Sequence, residues 1–368
     1  MITIQKRLDL PDTYPLERIG RLEELLFFDI ETTGFSGDYS NLYLIGCTYY
    51  QDGGWNLIQW FADTKAAEPE LLDRFFAFLK NYRTLVHFNG DGFDIPYLLK
   101  RCRHFKLPYD FSAVTSVDLY KRIKPYRKLL GLDSLKQKAI EQFLGISRQD
   151  KYSGGQLIEV YQDYLVTHES YLYDMLILHN EDDLKGMPLI LPILNYPDFL
   201  EHPLQLAGQE IIEETDIFGD PHPLLLLTCE SDIAVPVAFE TTQLPVTCMV
   251  NGPQMVLSID LYTGTLKHFY PNYKDYYYLV YEDTAVHKSI GEYVDKDARV
   301  KATAQTCYTK QSGIFVPQFS PLWEPVFKQG PKDKMTYTHL DNVCLNDPVY
   351  FQNYLAQLLA HLGVRPFC

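Results

Sequence analysis

The stretch Leu25-Leu26-Phe27-Phe28-Asp29-Ile30-Glu31-Thr32-Thr33-Gly34 constrains this chain more than any other. Its apolar run reads as a buried strand, yet it carries two acids, Asp29 and Glu31, two residues apart. Side chains two apart on a strand point to the same face. Two carboxylates side by side in an apolar setting repel each other and lose hydration, a costly arrangement unless a cation sits between them. Hard divalent ions such as Mg²⁺ take oxygen ligands. Thr32, Thr33 and Gly34 then end the strand and leave the acids at an open sheet end. The stretch reads as a metal-binding carboxylate pair that needs partners elsewhere.

A chain of 368 residues is long for a single domain, so two are expected. A hydrophobic fraction of 46% provides for packed cores. The seven cysteines, Cys47, Cys102, Cys229, Cys248, Cys307, Cys344 and Cys368, contain no C-x-x-C pair, which argues against a disulfide framework or a zinc knuckle. No leader-like apolar region opens the chain, and no apolar stretch is long enough to span a bilayer without charges or prolines. A cytoplasmic protein with no membrane association is the expectation. The net charge of −15 excludes a simple electrostatic DNA-coating protein. A local basic run nevertheless stands out, from Lys100 to Lys138, with Lys121, Arg122, Lys124, Arg127, Lys128 and Lys136 near its centre. Singly these read as solvated helix faces; clustered beside a metal site they point to phosphate contact.

Strands are expected at 25–30, 42–50 and 55–61, forming an antiparallel meander with a hairpin at Gln51-Asp52-Gly53-Gly54. A helix over 68–81, a short strand at 84–88, a helix from Phe93 and a strand at 113–119 follow. Asp133 is expected to N-cap a helix closed by Gly145, and two further helices are placed near 156–167 and 169–191. This is an α/β pattern: a mixed sheet flanked by helices. Beyond Pro197 short β-type runs dominate, with a hairpin turn at 261–265, a helix over 287–307 and a terminal helix over 347–362. The expected division is a domain over 1–196, a transition over 197–224 and a smaller, β-rich α+β domain over 225–368.

Partners for the acid pair come from two later segments. Asp94 lies in the first turn of the helix after Asn89-Gly90-Asp91-Gly92-Phe93, where an acid either complements the helix dipole or serves as a third ligand. In the helix 171–188, Leu172, Met175, Leu176, His179, Asp183 and Met187 share one stripe, so a core-facing surface carries a histidine and an acid one turn apart. Glu181 and Asp182 are rivals to Asp183. Asp118, at a strand end, reads as the cap of the following turn, with substrate positioning as the alternative.

Phe28-Asp29-Ile30-Glu31-Thr32-Thr33-Gly34, Asn89-Gly90-x-x-Phe93-Asp94 and His179-Asn180-x-x-Asp183 occur in that order. Together they resemble the three motifs of the DEDD superfamily of 3′→5′ exonucleases, which share the ribonuclease H-like fold, and most of all the bacterial YprB-like domain. The resemblance covers about residues 20–195. It implies Asp29, Glu31, Asp94 and Asp183 as ligands of two divalent ions, Mg²⁺ or Mn²⁺, and His179 as the catalytic general base. The spacing departs from the best-known histidine-type enzymes, with three residues rather than four between His179 and Asp183. His179 thereby takes the place of the tyrosine in the tyrosine-type subgroup.

The expected function is a two-metal nuclease that releases nucleoside monophosphates from the 3′ end of single-stranded DNA or RNA. The alternatives are a structure-selective endonuclease on the same fold and a non-catalytic nucleic-acid-binding or regulatory protein. In the second domain, tyrosines interleaved with basic residues around 267–301 suit base stacking but read first as core and surface. His222, His287, His339 and His361 read as structural.

Overall fold

The chain opens on an edge strand, β1 (Ile2–Leu8), followed by β2 (Leu25–Thr32), β3 (Leu42–Gln51) and β4 (Gly54–Phe61). The computed structural model describes residues 1–148, 152, 154–215, 219 and 221–364. β2 pairs antiparallel with β3, β3 with β4, and β4 with β1, so the expected meander gains a fourth strand. α1 (Glu68–Leu79) buries Leu71, Leu72, Phe75, Phe76 and Leu79 along one stripe, with Pro69 in its first turn. β5 (Thr84–His87) and β6 (Thr115–Asp118) add in parallel on the other side of β2, with α2 (Asp94–His104) between them in sequence. The resulting order is β1-β4-β3-β2-β5-β6. β2 is interior to this sheet, which is why its sequence reads as a nearly unbroken apolar run.

α3 (Leu119–Ile123) and α4 (Gln137–Phe143) follow. Asp133 is not the cap of α4: the helix starts four residues later, after Lys136. The turn before it is closed instead by Arg127 Nη2 donating to the Asp133 carbonyl at 2.6 Å and by the Ser134 hydroxyl accepting from Lys136 N at 3.2 Å. Gly145 ends this segment as expected, with Ile146 N returning to the Glu141 carbonyl. α5 (Gly154–Thr167), α6 (Ser170–Ile190) and α7 (Asn195–Glu201) complete the run of helices. The core beside the sheet is aromatic-rich, with Phe28, Tyr43, Phe61, Phe75 and Tyr161 fully or almost fully buried.

The chain divides into two compact units, Met1–Pro197 and Asp198–Cys368. In the second, β7 (Gln205–Thr215), inside the stretch expected to be a transition, pairs with the 23-residue β8 (Pro221–Gln243), which pairs with β9 (Val246–Asp260). β9 runs on through Asn251-Gly252-Pro253: Gly252 falls between two register shifts of the β8–β9 ladder, so this stretch is absorbed as an irregularity rather than a turn. The expected hairpin at 261–265 does not form either. β10 (Tyr262–Phe269) leaves the sheet of β9 and takes its partner far along the chain. β11 (Tyr276–Leu279), β12 (Thr284–His287), α8 (Lys288–Gly291) and β13 (Arg299–Lys301) come next, then β14 (Tyr308–Gln318), β15 (Thr336–His339) and α9 (Pro348–His361).

Two small sheets result, β10-β14-β15 and β12-β11-β13. The helix expected over 287–307 shrinks to α8, because residues 299–301 pair with β11 and a strand register supersedes a weak helical period. The terminal helix is present, with the Asp347 carboxylate accepting from Val349 N at 2.8 Å. The solitary histidines have structural partners. His222 pairs with Asp260 at 3.2 Å, His287 and His339 cap short helices, and His361 bonds the carbonyls of Gln243 and Leu244. Among the described residues the cysteines are free thiols, and Cys368 lies outside them. No helix among the described residues is long and apolar enough to cross a membrane.

Candidate metal centre

Asp29 and Glu31 stand opposite Gly46 and Leu44 of β3 and share a face of the sheet. α6 lies against that face. A Cβ built on Gly46 would come within 2.1 Å of Asn180 Oδ1 and 2.3 Å of a Leu184 methyl, so only glycine admits the helix at this depth. Further bonds fasten α6 to the sheet: Thr48 Oγ1 donates to the Leu184 carbonyl at 3.3 Å, and Gln59 Nε2 to the Ile177 carbonyl at 3.1 Å. The helix stripe therefore delivers His179, Asn180 and Asp183 to the acids of β2.

His179 is buried, and its Nε2 lies 3.6 Å from Glu31 Oε1 and 3.6 Å from Asp183 Oδ2. One ligand atom from each of Glu31, His179 and Asp183 falls within 4.8 Å of the others. Asn180 Nδ2 donates to Asp29 Oδ2 at 2.9 Å, while its own Oδ1 accepts from Gln59 Nε2 at 2.9 Å. The wholly buried Gln59 thus sets the orientation of the amide that holds Asp29.

The pairing of β2 with β5 ends at Phe27, and beyond it the start of α2 approaches β2. The buried Asp94 carboxyl accepts from the backbone N–H of Asp94 itself and of Ile30, between the two strand acids. Its loop is braced from below. Asp118 accepts from Asn89 N (3.0 Å), Asp91 N (3.3 Å) and Lys121 N (3.2 Å), so it caps α3 and clamps the Asn89–Asp91 turn together. His87 Nδ1 accepts from Gly90 N at 3.0 Å, which leaves Nε2 to donate to Ser116. His87, Asp91 and Asp118 form a second group with metal-compatible spacing, but these bonds engage them as a loop brace.

The electrostatics match a cation site. Burial pushes the Asp29 carboxyl well above the usual carboxylate range, and the charges of Asp183, Glu31 and Asp94 push it further. Asp94 is pushed up to about 7, chiefly by burial, against the pull of its two backbone N–H partners. Four carboxylates with one imidazole, crowded until Asp29 and Asp94 resist ionising, fit a hard divalent ion. Asp183 carries one more partner: Arg148 Nη2 donates to its Oδ1 at 2.7 Å, and Arg148 Nη1 pairs with the buried Glu141 at 3.0 Å. Gln137 Nε2 bonds both Glu141 Oε1 and the Asp183 carbonyl at 2.9 Å. Glu181, a rival acid, is committed to Lys6 and Lys185, and Asp183 rather than Asp182 groups with Glu31 and His179.

Gln59, Glu141, Arg148 and Gly46 did not emerge from the sequence pattern. A lone glutamine in the apolar run Leu57–Phe61 was the available signal for the first. An open groove of about 350 Å³ runs beside Glu31, with Phe35, Phe93, Lys136 and Gly154 among its walls, and Phe35 is 90% exposed.

Residues 26–195 match the family model of the RNase_H superfamily. The first unit has a ribonuclease H-like fold. Over 105 residues the chain is 32% identical to a DNA polymerase of Pyrococcus glycovorans, a match covering 26% of this chain and 13% of that one. A DNA polymerase of Thermococcus kodakarensis is 32% identical over 107 residues, 27% of this chain and 6% of that one. Among solved structures, the family B DNA polymerase of Pyrobaculum calidifontis aligns with a TM-score of 0.40 and 14% identity over 68% of this chain and 35% of that one. Escherichia coli exonuclease I in complex with a dT13 oligonucleotide aligns at 0.31 and 10% identity, over 56% of this chain and 54% of that one. The chain spans only a small part of the polymerases that its ribonuclease H-like unit matches.

Proposed function

We propose that the ribonuclease H-like unit is a metal-dependent phosphodiester hydrolase of the DEDD type, akin to the YprB-like domain. In this reading it removes nucleoside monophosphates from the 3′ end of single-stranded nucleic acid. The observation that carries the reading is the convergence of Asp29, Glu31, Asp94 and Asp183, from one strand and two helices far apart in sequence, with His179 beside Glu31 and Asp183. These four carboxylates would hold Mg²⁺ or Mn²⁺. Bound there, such ions would supply Lewis-acid polarisation of the phosphate and a nucleophilic water at neutral pH.

The chain's own residues supply the rest. His179 Nε2, held between Glu31 and Asp183, accepts the proton of the attacking water. Asn180 and Gln59 keep Asp29 aimed, and Arg148 holds Asp183 by one oxygen, leaving the other toward His179. The exposed Phe35 ring and the half-buried Phe93 offer stacking surface to an unpaired base in the groove beside Glu31.

Oligonucleotides labelled at the 3′ or the 5′ end, as DNA and as RNA, test the reading with Mg²⁺ or Mn²⁺ present. Wild type should release labelled mononucleotide at once from the 3′-labelled strand and shorten the 5′-labelled strand stepwise, and Asp29→Asn and Asp183→Asn should do neither. An inactive wild type, or fully active variants, sinks it; cleavage of circular substrates would turn it into an endonuclease.

A further inference from the structure

The loop that delivers Asp94 separates two grooves. Phe93 lines the groove beside Glu31; Asn89, at the other end of the loop, lines a second groove of about 530 Å³. Lys136 belongs to the walls of both, so the second groove adjoins the carboxylate centre. Its remaining walls include Phe88, Tyr120 and Arg127.

Two kinds of group meet there. Phe88 and Tyr120 are half-buried rings fixed edge-to-face, with centroids 6.1 Å apart, and Lys124 lies 5.6 Å from the Tyr120 centroid. Arg127 is exposed but not loose, because its Nε and Nη2 are pinned by the carbonyls of Leu132 (3.1 Å) and Asp133 (2.6 Å). A guanidinium held this way loses little rotamer freedom on meeting an anion. Lys121 is spent on Asp91 and Lys138 on the Tyr152 carbonyl, whereas Lys124, Arg127 and Lys136 face solvent around the rings. In a chain of net charge −15, such a cluster is complementary to a polyanion, and the rings favour one that also presents flat apolar faces. A single-stranded nucleic acid has both.

We infer that the Phe88–Tyr120–Arg127–Lys136 groove is a strand-binding subsite, which holds the nucleotides on the 5′ side of the bond to be cut. The inference rests on the hydrolytic reading for its orientation relative to the cleaved bond, but binding itself can be measured without turnover. Tyr120 supplies the stacking surface, while Arg127 and Lys136 contact consecutive phosphates.

Fluorescence anisotropy of a labelled thymidine dinucleotide and of a longer labelled oligothymidylate, titrated in the Asp29→Asn background over a range of salt, tests it. Tyr120→Leu should weaken the longer strand by about tenfold, within the range of one lost stacking contact, and the dinucleotide by less. Arg127→Gln and Lys136→Gln should each lower the steepness of the salt dependence by about one. Lys136 is exposed, so its variant reports on the groove even if Tyr120→Leu unfolds in a circular-dichroism melt. Equal affinity and salt slope in wild type and folded variants overturn the subsite, as does failure of the parent to bind either probe. Parallel hydrolysis assays separate the two readings: binding sensitive to the groove without turnover by wild type removes only the hydrolytic one, and turnover with insensitive binding removes only this one.

Discussion

Arg148 donates to one oxygen of Asp183 while the other faces His179, so the carboxylate is oriented before any ion arrives. Swinging the guanidinium away would leave Glu141, only 1% exposed, without its counter-charge, a cost that keeps Arg148 in place. Outer partners of metal ligands typically account for 10–100-fold in affinity or activity, and Arg148→Gln should lower kcat by about that factor. Isothermal titration with Mn²⁺ should show weaker binding by the same variant; unaltered Mn²⁺ affinity and kcat would reduce Arg148 to packing. His179 has a different duty. His179→Ala should lower kcat by about 10²–10⁴-fold, with partial rescue by added imidazole. Loss without rescue by any imidazole concentration would speak for a structural role instead.

At the level of elements, the seat of α6 on β2 and β3 decides where the centre forms. Gly46→Ala places a methyl where Asn180 and Leu184 already sit, and urea unfolding should register a loss of about 1–3 kcal/mol. Thermal stability equal to wild type would mean that α6 shifts freely, in which case the Asn180–Asp29 bond is not fixed by this contact. The loop after β2 is held by a buried pair, Arg101 Nε and Nη2 with Glu68 (2.5 and 2.8 Å), whose partners also reach Gly37 O, Leu42 N and the Asn41 side chain. Every strong group in that network is matched, so removing one side strands a charge. Arg101→Met should cost about 3–5 kcal/mol in chemical denaturation, far more than loss of a surface pair such as Arg21–Glu24.

Over the whole molecule, the crowded acids make stability depend on pH and on divalent ions. The folded Asp94 carboxyl titrates at about 7, against an ordinary value of 3.8, so between those values the folded state holds a proton that the unfolded state has released. Folding is then favoured at low pH, and that advantage is lost as pH rises through about 7. Differential scanning calorimetry of the ion-free protein should show Tm falling from about pH 5 to about pH 8, with Mn²⁺ restoring it most at the alkaline end. Asp94→Asn should flatten the profile. A Tm that rises over this window and ignores Mn²⁺ would contradict the reading of this cluster as a cation site.

Much of the fold was legible in the sequence because its signals are local. The strand 25–32, the stripe of α1 and the helical spacing of Leu172, Leu176, His179 and Asp183 each declare themselves within one element. Two of the misreadings, Asp133 as a cap and a helix over 287–307, arose where a distant or neighbouring partner superseded local propensity: Arg127 on the Asp133 carbonyl, and β11 for residues 299–301. By itself the sequence determined that Asp29 and Glu31 share a face and that a histidine and an acid share a helix stripe, since periodicity alone dictates both. Only the tertiary structure decided that these faces meet, that Gln59 and Asn180, 121 residues apart, aim Asp29, and that Arg148 grips Asp183. Those contacts are set by how deeply α6 can sink onto the sheet, a matter of packed volume at Gly46 that no repeat in a single element records.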